Sequence, residues 1–260
     1  MNGIFGRFFD SADGDNRRRI LGLLERDVGA EVLDCGCGSG EFTAQIGVRI
    51  GTSNLVGLDD YGPDVEQARV RGIRTICGDI NKGFGGIGGI GGIGGIGGFG
   101  GIGGIGGIGV LDDGVFDVVH ANQTIEHIIE SDLFLREVYR VIKPGGYLVL
   151  STPNLASWHN VVSLLLGWQP FTADVSFEAY VGNPLRGGAR GDHRLGHVRL
   201  FTYRALRELL QYHGFRVERL VGAGYYPLPG RVNRLWSMVD PRHAVYLTAK
   251  ARKGIKERSG

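Results

Sequence analysis

"AEVLDCGCGSGEF", residues 30–42, is an apolar run that ends in an acid and passes straight into Gly36, Gly38 and Gly40 at alternate positions. A short apolar run that stops at a glycine cluster reads as a buried strand feeding a tight turn. Glycine turns the chain without a Cβ penalty and lets backbone N–H groups come close to a ligand. Outward from this stretch the pattern repeats. "SNLVGLDDYG" (53–62) is a second apolar strand ending in acids, and Pro63 with Asp64 opens a helix through Arg71. "IRTICGDI" (73–80), "GVFDVVHAN" (114–122) and "GGYLVLSTPN" (145–154) follow as third, fourth and fifth strands. "SDLFLREVYRVIKPGG" (131–146) has helical spacing and stops at a Pro-Gly-Gly breaker, while "NRRRILGLLERD" (16–27) leads in as a helix with Ile20, Leu21, Leu23 and Leu24 on one side.

Short apolar strands alternating with helices imply a mostly parallel sheet covered on both faces, because parallel strands need crossover connections. The expected fold is therefore α/β, doubly wound and Rossmann-like. "FRVERLVGAG" and "HAVYLTAKA" bring the strands to seven. In such folds ligands bind beyond the carboxyl ends of the strands, where Asp34, Asp59 and Asp79 lie. All 260 residues are expected to form a single domain, with residues 154–199 inserted as a lid after the fifth strand.

Composition narrows the function. A net charge of +2 with scattered basic residues gives no footprint for nucleic acid. Cys35, Cys37 and Cys77 make neither an even disulfide set nor a C-x-x-C metal pair, which points to the reducing cytoplasm. No apolar run approaches the roughly 20 residues of a membrane span. The spacing Gly36-x-Gly38-x-Gly40 puts Glu41 where a G-x-G-x-x-G dinucleotide turn needs glycine, so a nicotinamide oxidoreductase is disfavoured.

"LDCGCGSG" resembles motif I of the class I S-adenosylmethionine-dependent methyltransferases. "FDVVHANQTIEHI" and "LREVYRVIKPGGYLVLSTPN" are similar to later segments of that family in the same order. The resemblance implies S-adenosyl-L-methionine as cofactor. Asp34, Gly36, Gly38 and Gly40 would hold its methionine end, Asp59 the ribose and Asp79 the adenine, with Cys37, Asp60 and Ile80 also in the cofactor site. Asn122 and Gln123 would border the methionine moiety and the acceptor. A sulfonium and an ammonium without a phosphate suit carboxylates and backbone groups better than a basic cradle. Taken singly, each aspartate also reads as a strand-end turn former.

"ANQTIEH" lacks the Asn/Asp-Pro-Pro-Tyr/Phe of the enzymes that methylate exocyclic amines. It is similar to the ubiquinone-biosynthesis type of small-molecule O-methyltransferase, in some of which the Glu-His pair lies near the acceptor or a metal. That makes Glu126 and His127 the catalytic candidates, with no metal ligand assigned; the bland alternative is that both simply begin a helix. His120 reads as a core residue. Asp192 and His193 in "GDHRLGH" are a weaker pair over the active-site end, and His193 and His197 alone make a poor zinc site.

Of 47 glycines, 18 lie between Gly83 and Gly109. Residues 85–109 read as a Gly-Gly-Ile low-complexity insertion in the connection between the third and fourth strands, either a passenger or a stripe for self-association. Expected partners are a small-molecule or glycan-linked acceptor, with peripheral membrane contact through "WHNVVSLLLGW" left open against a helix packing on its own domain. The rival reading is a non-catalytic module that keeps the cofactor fold and uses repeat and lid for assembly.

Overall fold

The computed structural model describes residues 4–78, 80, 111–189, 196–225, 228 and 230–254. Asp79, the glycine repeat, Asp192 and His193 lie outside the described residues. One seven-stranded sheet organises the chain: β1 (Val32–Cys35), β2 (Leu55–Asp59), β3 (Arg74–Cys77), β4 (Phe116–Asn122), β5 (Ile142–Pro153), β8 (Phe215–Ala223) and β9 (Tyr246–Lys253), in the spatial order β3-β2-β1-β4-β5-β9-β8. β1 through β5 run parallel, and β9 enters antiparallel between β5 and β8. The order turns back at β1, whose neighbours are β2 and β4, and that is where an open sheet leaves a crevice for a ligand.

Helices cover both faces. On one lie α1 (Ile4–Leu23), α2 (Glu41–Ile50) and α3 (Gly62–Val70), with Ile20, Ile46, Ile50 and Ala68 packed on Val32, Val118 and Val149. On the other, α4 (Ser131–Val141) and α6 (Tyr203–Tyr212) bury Phe134, Leu135, Val138, Leu206 and Leu210 against Leu33, Val119 and Leu148. Each fully buried side chain of this size contributes about 1.5–3 kcal/mol, so the alternating faces of the central strands hold the two layers together.

The breaker after α4 acts earlier than its Pro-Gly-Gly. Pro144 disfavours helical backbone at Lys143, and the helix ends at Val141 with β5 already begun at Ile142. The leading helix runs from Ile4 rather than Asn16 and stops at Leu23; Asp27 beyond it donates from its backbone N–H to Ile50 (3.0 Å). Part of the segment expected as a lid insertion is paired: β6 (Ala179–Asn183) and β7 (Arg186–Ala189) form an antiparallel hairpin. Together with α5 (Trp158–Leu165) it makes a small body outside the main sheet. A further helix, α7 (Gly230–Val239), follows β8. Among the described residues no helix is long and apolar enough to cross a membrane.

Candidate functional site

At the carboxyl end of β1 the chain turns with Gly36, Gly38 and Gly40 at φ of 81°, 51° and 77°. Gly40 caps α2, and Glu41 in its first turn faces the positive end of the helix dipole. Gly36 is required twice over, by its φ and because a Cβ there would stand 2.5 Å from the Thr124 hydroxyl. A Cβ at Gly38 would meet, among the described residues, only the Asp64 carboxylate at 3.9 Å, so this side of the turn leaves room for a bound molecule.

Asp59, at the end of β2, is tied to that turn. It accepts hydrogen bonds from the Gly38 N–H (2.8 Å) and the Tyr61 N–H (3.1 Å). Neighbouring Asp60 is exposed, and Ile80 is buried in the core beneath the same end of the sheet. Asp34 is placed differently. Its carboxylate is spent inside the protein, accepting from Thr43 Oγ1 (2.5 Å) and pairing with His120 Nδ1 (2.7 Å). Cys37 points inward against Gly57 of β2, and burial, then Asp34 and Asp59, hold its thiol far above the usual range.

The end of β4 carries the second half of the site. Gln123 has φ of 55°, the single non-glycine residue with positive φ among the described residues, and its backbone N–H donates to Ser151 O (2.9 Å). Backbone strain of this kind costs about 1–3 kcal/mol and persists where surrounding structure enforces it. Here Thr124 does so, donating to Cys35 O (2.9 Å) and binding the ends of β1 and β4 together. Asn122 is held by buried Asn16 of α1, whose Nδ2 donates to it (3.0 Å) while its Oδ1 accepts from Ser151 (2.9 Å) and Thr248 (2.7 Å). Sequence reading missed Asn16, Thr43, Thr124 and Thr248, because their partners lie far along the chain.

Glu126 and His127 fall in a short 3-10 turn, Ile125–His127. Glu126 is 1% exposed; Thr152 donates to Oε2 (2.9 Å), and Oε1 has no hydrogen-bond partner among the described residues. Burial pushes its carboxyl up to about 8, so it holds a proton at neutral pH. The backbone C=O of Glu126 accepts from the N–H groups of Val198 and Arg199 and draws the later segment alongside, which brings in His197. The Glu126 carboxylate and ring nitrogens of His127 and His197 lie within 4.8 Å of one another. His127 Nδ1 faces Gly196 O (3.3 Å) and His197 Nδ1 faces Thr172 O (3.0 Å). A carbonyl only accepts, so each contact places the proton on Nδ1 and the lone pair on Nε2. Burial and His127 hold the His197 ring below its ordinary value. Two imidazoles and a carboxylate this close form a donor set that suits a divalent cation. The missing signal in the sequence was His197, 70 residues beyond His127.

The Asp59 carboxylate at the glycine turn and a polar cluster at the end of β4 match a cationic ligand better than a phosphate. Residues 9–220 match the methyltransferase-domain family. The chain belongs to the S-adenosylmethionine-dependent methyltransferases. Its curated relatives include a probable S-adenosylmethionine-dependent methyltransferase of Mycolicibacterium smegmatis, 27% identical over 77% of this chain and 57% of that protein. The human mitochondrial ubiquinone biosynthesis O-methyltransferase is 24% identical over 78% of this chain and 46% of that protein. The chain thus spans about half the length of the curated relatives it matches. Among solved structures, an S-adenosylmethionine-dependent methyltransferase from Mesorhizobium loti shares the fold with a TM-score of 0.59 at 18% identity, covering 93% of this chain and all of the other. S-adenosylmethionine is the cofactor of this methyltransferase family. The open side of Gly38 and the Asp59 carboxylate beside it fit such a group.

Proposed function

We propose that this chain methylates an oxygen of a small-molecule, glycan-linked or lipid-linked acceptor presented between the glycine turn and the Glu126–His127–His197 cluster. The observation that carries the reading is the pairing of two half-sites at neighbouring strand ends. Asp59 sits on the Gly38 N–H at one, and the proton-handling cluster sits at the other. The names of the ubiquinone biosynthesis O-methyltransferases support oxygen as the methylated atom.

Bound S-adenosylmethionine supplies an electrophilic methyl carbon. The chain's part is to hold the cofactor and to prepare the nucleophile. Asp59 receives the ribose hydroxyls, Asp79 the adenine amine, and the Gly36–Gly40 turn with Asn122 and Gln123 borders the methionine portion. Asp34 acts through Thr43 and His120, fixing the shape of the turn. His127 would take the acceptor's hydroxyl proton at Nε2 while the methyl group passes from the sulfonium sulfur to the acceptor oxygen, the broken S–C bond leaving its electron pair on a neutral thioether. Glu126, protonated at neutral pH, adds no negative charge beside that imidazole. Walls that hold acceptor oxygen and methyl carbon in line supply much of the acceleration.

A second reading uses the same three side chains as ligands of a divalent cation that lowers the acceptor's pKa, and the unpartnered Oε1 of Glu126 favours it. Titrating S-adenosylhomocysteine by calorimetry, with Asp59→Ala and an NAD control, tests the cofactor site. Binding that Asp59→Ala loses supports the reading, and binding of NAD in its place overturns it. Methyl transfer to a panel of hydroxyl acceptors, with and without chelator and with His127→Ala, separates proton abstraction by His127 from the cation reading. Cofactor binding with no turnover on any acceptor would favour a non-catalytic module.

A further inference from the structure

Two helices outside the core are turned inside out. In α5 the buried residues are His159, Asn160 and Ser163, whereas Trp158, Val162, Leu164 and Leu165, with Leu166 just past its end, face solvent. In α7 buried Asn233 and Ser237 contrast with exposed Val232, Leu235, Trp236, Met238 and Val239. Leu165 is 80% exposed and Val239 69%, while Asn160 is 0% and Ser237 1%. A surface helix of a water-bathed protein has the opposite polarity.

The polar interior beneath α5 is well satisfied, so the arrangement is built rather than slipped. Asn160 donates to Asn154 O (3.0 Å) and Thr172 Oγ1 (2.8 Å) and accepts from the Phe171 N–H (2.8 Å). Ser163 donates to His159 O (2.8 Å), and Asn183 of the hairpin donates to Gln169 O (2.8 Å). The two helices also meet. Trp158 Nε1 donates to Tyr225 OH (2.6 Å), and the Tyr225 ring lies 6.3 Å from that of Trp236, so both tryptophans flank one tyrosine.

We propose that the outward faces of α5 and α7 form one docking surface for an anionic lipid bilayer. The chain has no charged residue from Asn154 to Ala173, and buried His159 is neutral, so nothing on α5 resists transfer out of water. The sequence of α7 and the turn after it carries Arg231, Arg234 and Arg242 against one acid, Asp240, which accepts from Tyr225 and His243. An apolar face carrying tryptophans, on a segment whose sequence is net basic, complements an anionic headgroup layer. A symmetric contact with a second copy would set one net basic segment against another. At eight residues α5 is about 12 Å long, well short of the ~30 Å hydrocarbon core, so it lies along the surface.

The test is flotation of the 260-residue chain with phosphatidylcholine vesicles, with and without phosphatidylglycerol, beside a Leu164→Ser/Leu165→Ser variant. Calorimetry with S-adenosylhomocysteine on the same preparations serves as the fold control. It also separates this proposal from the enzymatic reading, since vesicle binding needs no turnover. Wild type should float with anionic vesicles, and the variant should lose about tenfold or more in partitioning per leucine removed while keeping cofactor binding. Wild type that stays unbound, or that binds neutral and anionic vesicles alike, would overturn the proposal. So would a wild-type dimer that ignores vesicles and that the variant dissolves, which would assign the face to a second copy.

Discussion

Replacing Glu126 with glutamine should make the protein more stable at high pH and remove a pH dependence that the wild type carries. The wild-type carboxyl titrates near 4.5 when unfolded and is pushed up to about 8 by complete burial. Between those values the folded state holds a proton that the unfolded state has released. Stability contributed by this group is therefore fully present below about pH 4.5, falls as pH rises toward 8 and is flat above it. At about 1.36 kcal/mol per pH unit the whole fall comes to about 5 kcal/mol, of which about 3 has been lost by pH 7. Glutamine keeps the shape and an oxygen to accept from Thr152 Oγ1, but it has no proton to release. Urea unfolding of both proteins from about pH 5 to about pH 9 measures the effect. The difference between them should grow by several kcal/mol in favour of Glu126→Gln as pH rises. Parallel curves would show that the Glu126 carboxyl is solvated or paired with a cation, and the argument from burial would fail.

Gly57→Ala should cost about 1–3 kcal/mol by overpacking, since its Cβ would stand 2.6 Å from Cys37 Sγ; adding Cys37→Ala should recover much of the loss in thermal unfolding. A thiol reagent should label Cys77 alone in the native protein and all three cysteines in denaturant, because Cys35 and Cys37 are buried and burial holds both thiols protonated. Asn16→Ala should destabilise by about 2–4 kcal/mol in chemical unfolding, because it strips partners from Asn122, Ser151 and Thr248 together. Asp59→Ala should weaken S-adenosylhomocysteine binding by about tenfold or more in calorimetry while leaving the fold intact.

The parallel core was legible because its signals are local. Each of the first three strands is a short apolar run closed by glycine or an acid, and the glycine turn with Asp59 sits where two such runs end. Pairing across long separations was not legible. Nothing near Asn16 announces Thr248, 232 residues later, and nothing near Glu126 announces His197. Arg186–Ala189 looked like loop because its glycines and arginines carry no alternating apolar face, yet β6 supplies its partner. α7 escaped notice for a related reason: a helix that buries Asn233 and Ser237 lacks the apolar stripe by which core-facing helices are recognised.

The position of β9 has a consequence for how the protein is made. It is the last strand of the described sheet to leave the ribosome, yet it lies inside the sheet, and among the described residues β8 has no other strand neighbour. A nascent chain halted anywhere before Tyr246 has β8 without a partner and one edge of β5 bare, with its N–H and C=O groups open to any passing strand. The Asn16 node also waits for Thr248 to close it. Completion of the sheet thus waits for its last strand, and until β9 has emerged this half of the sheet is where a holding chaperone would be needed and where a stalled chain would aggregate.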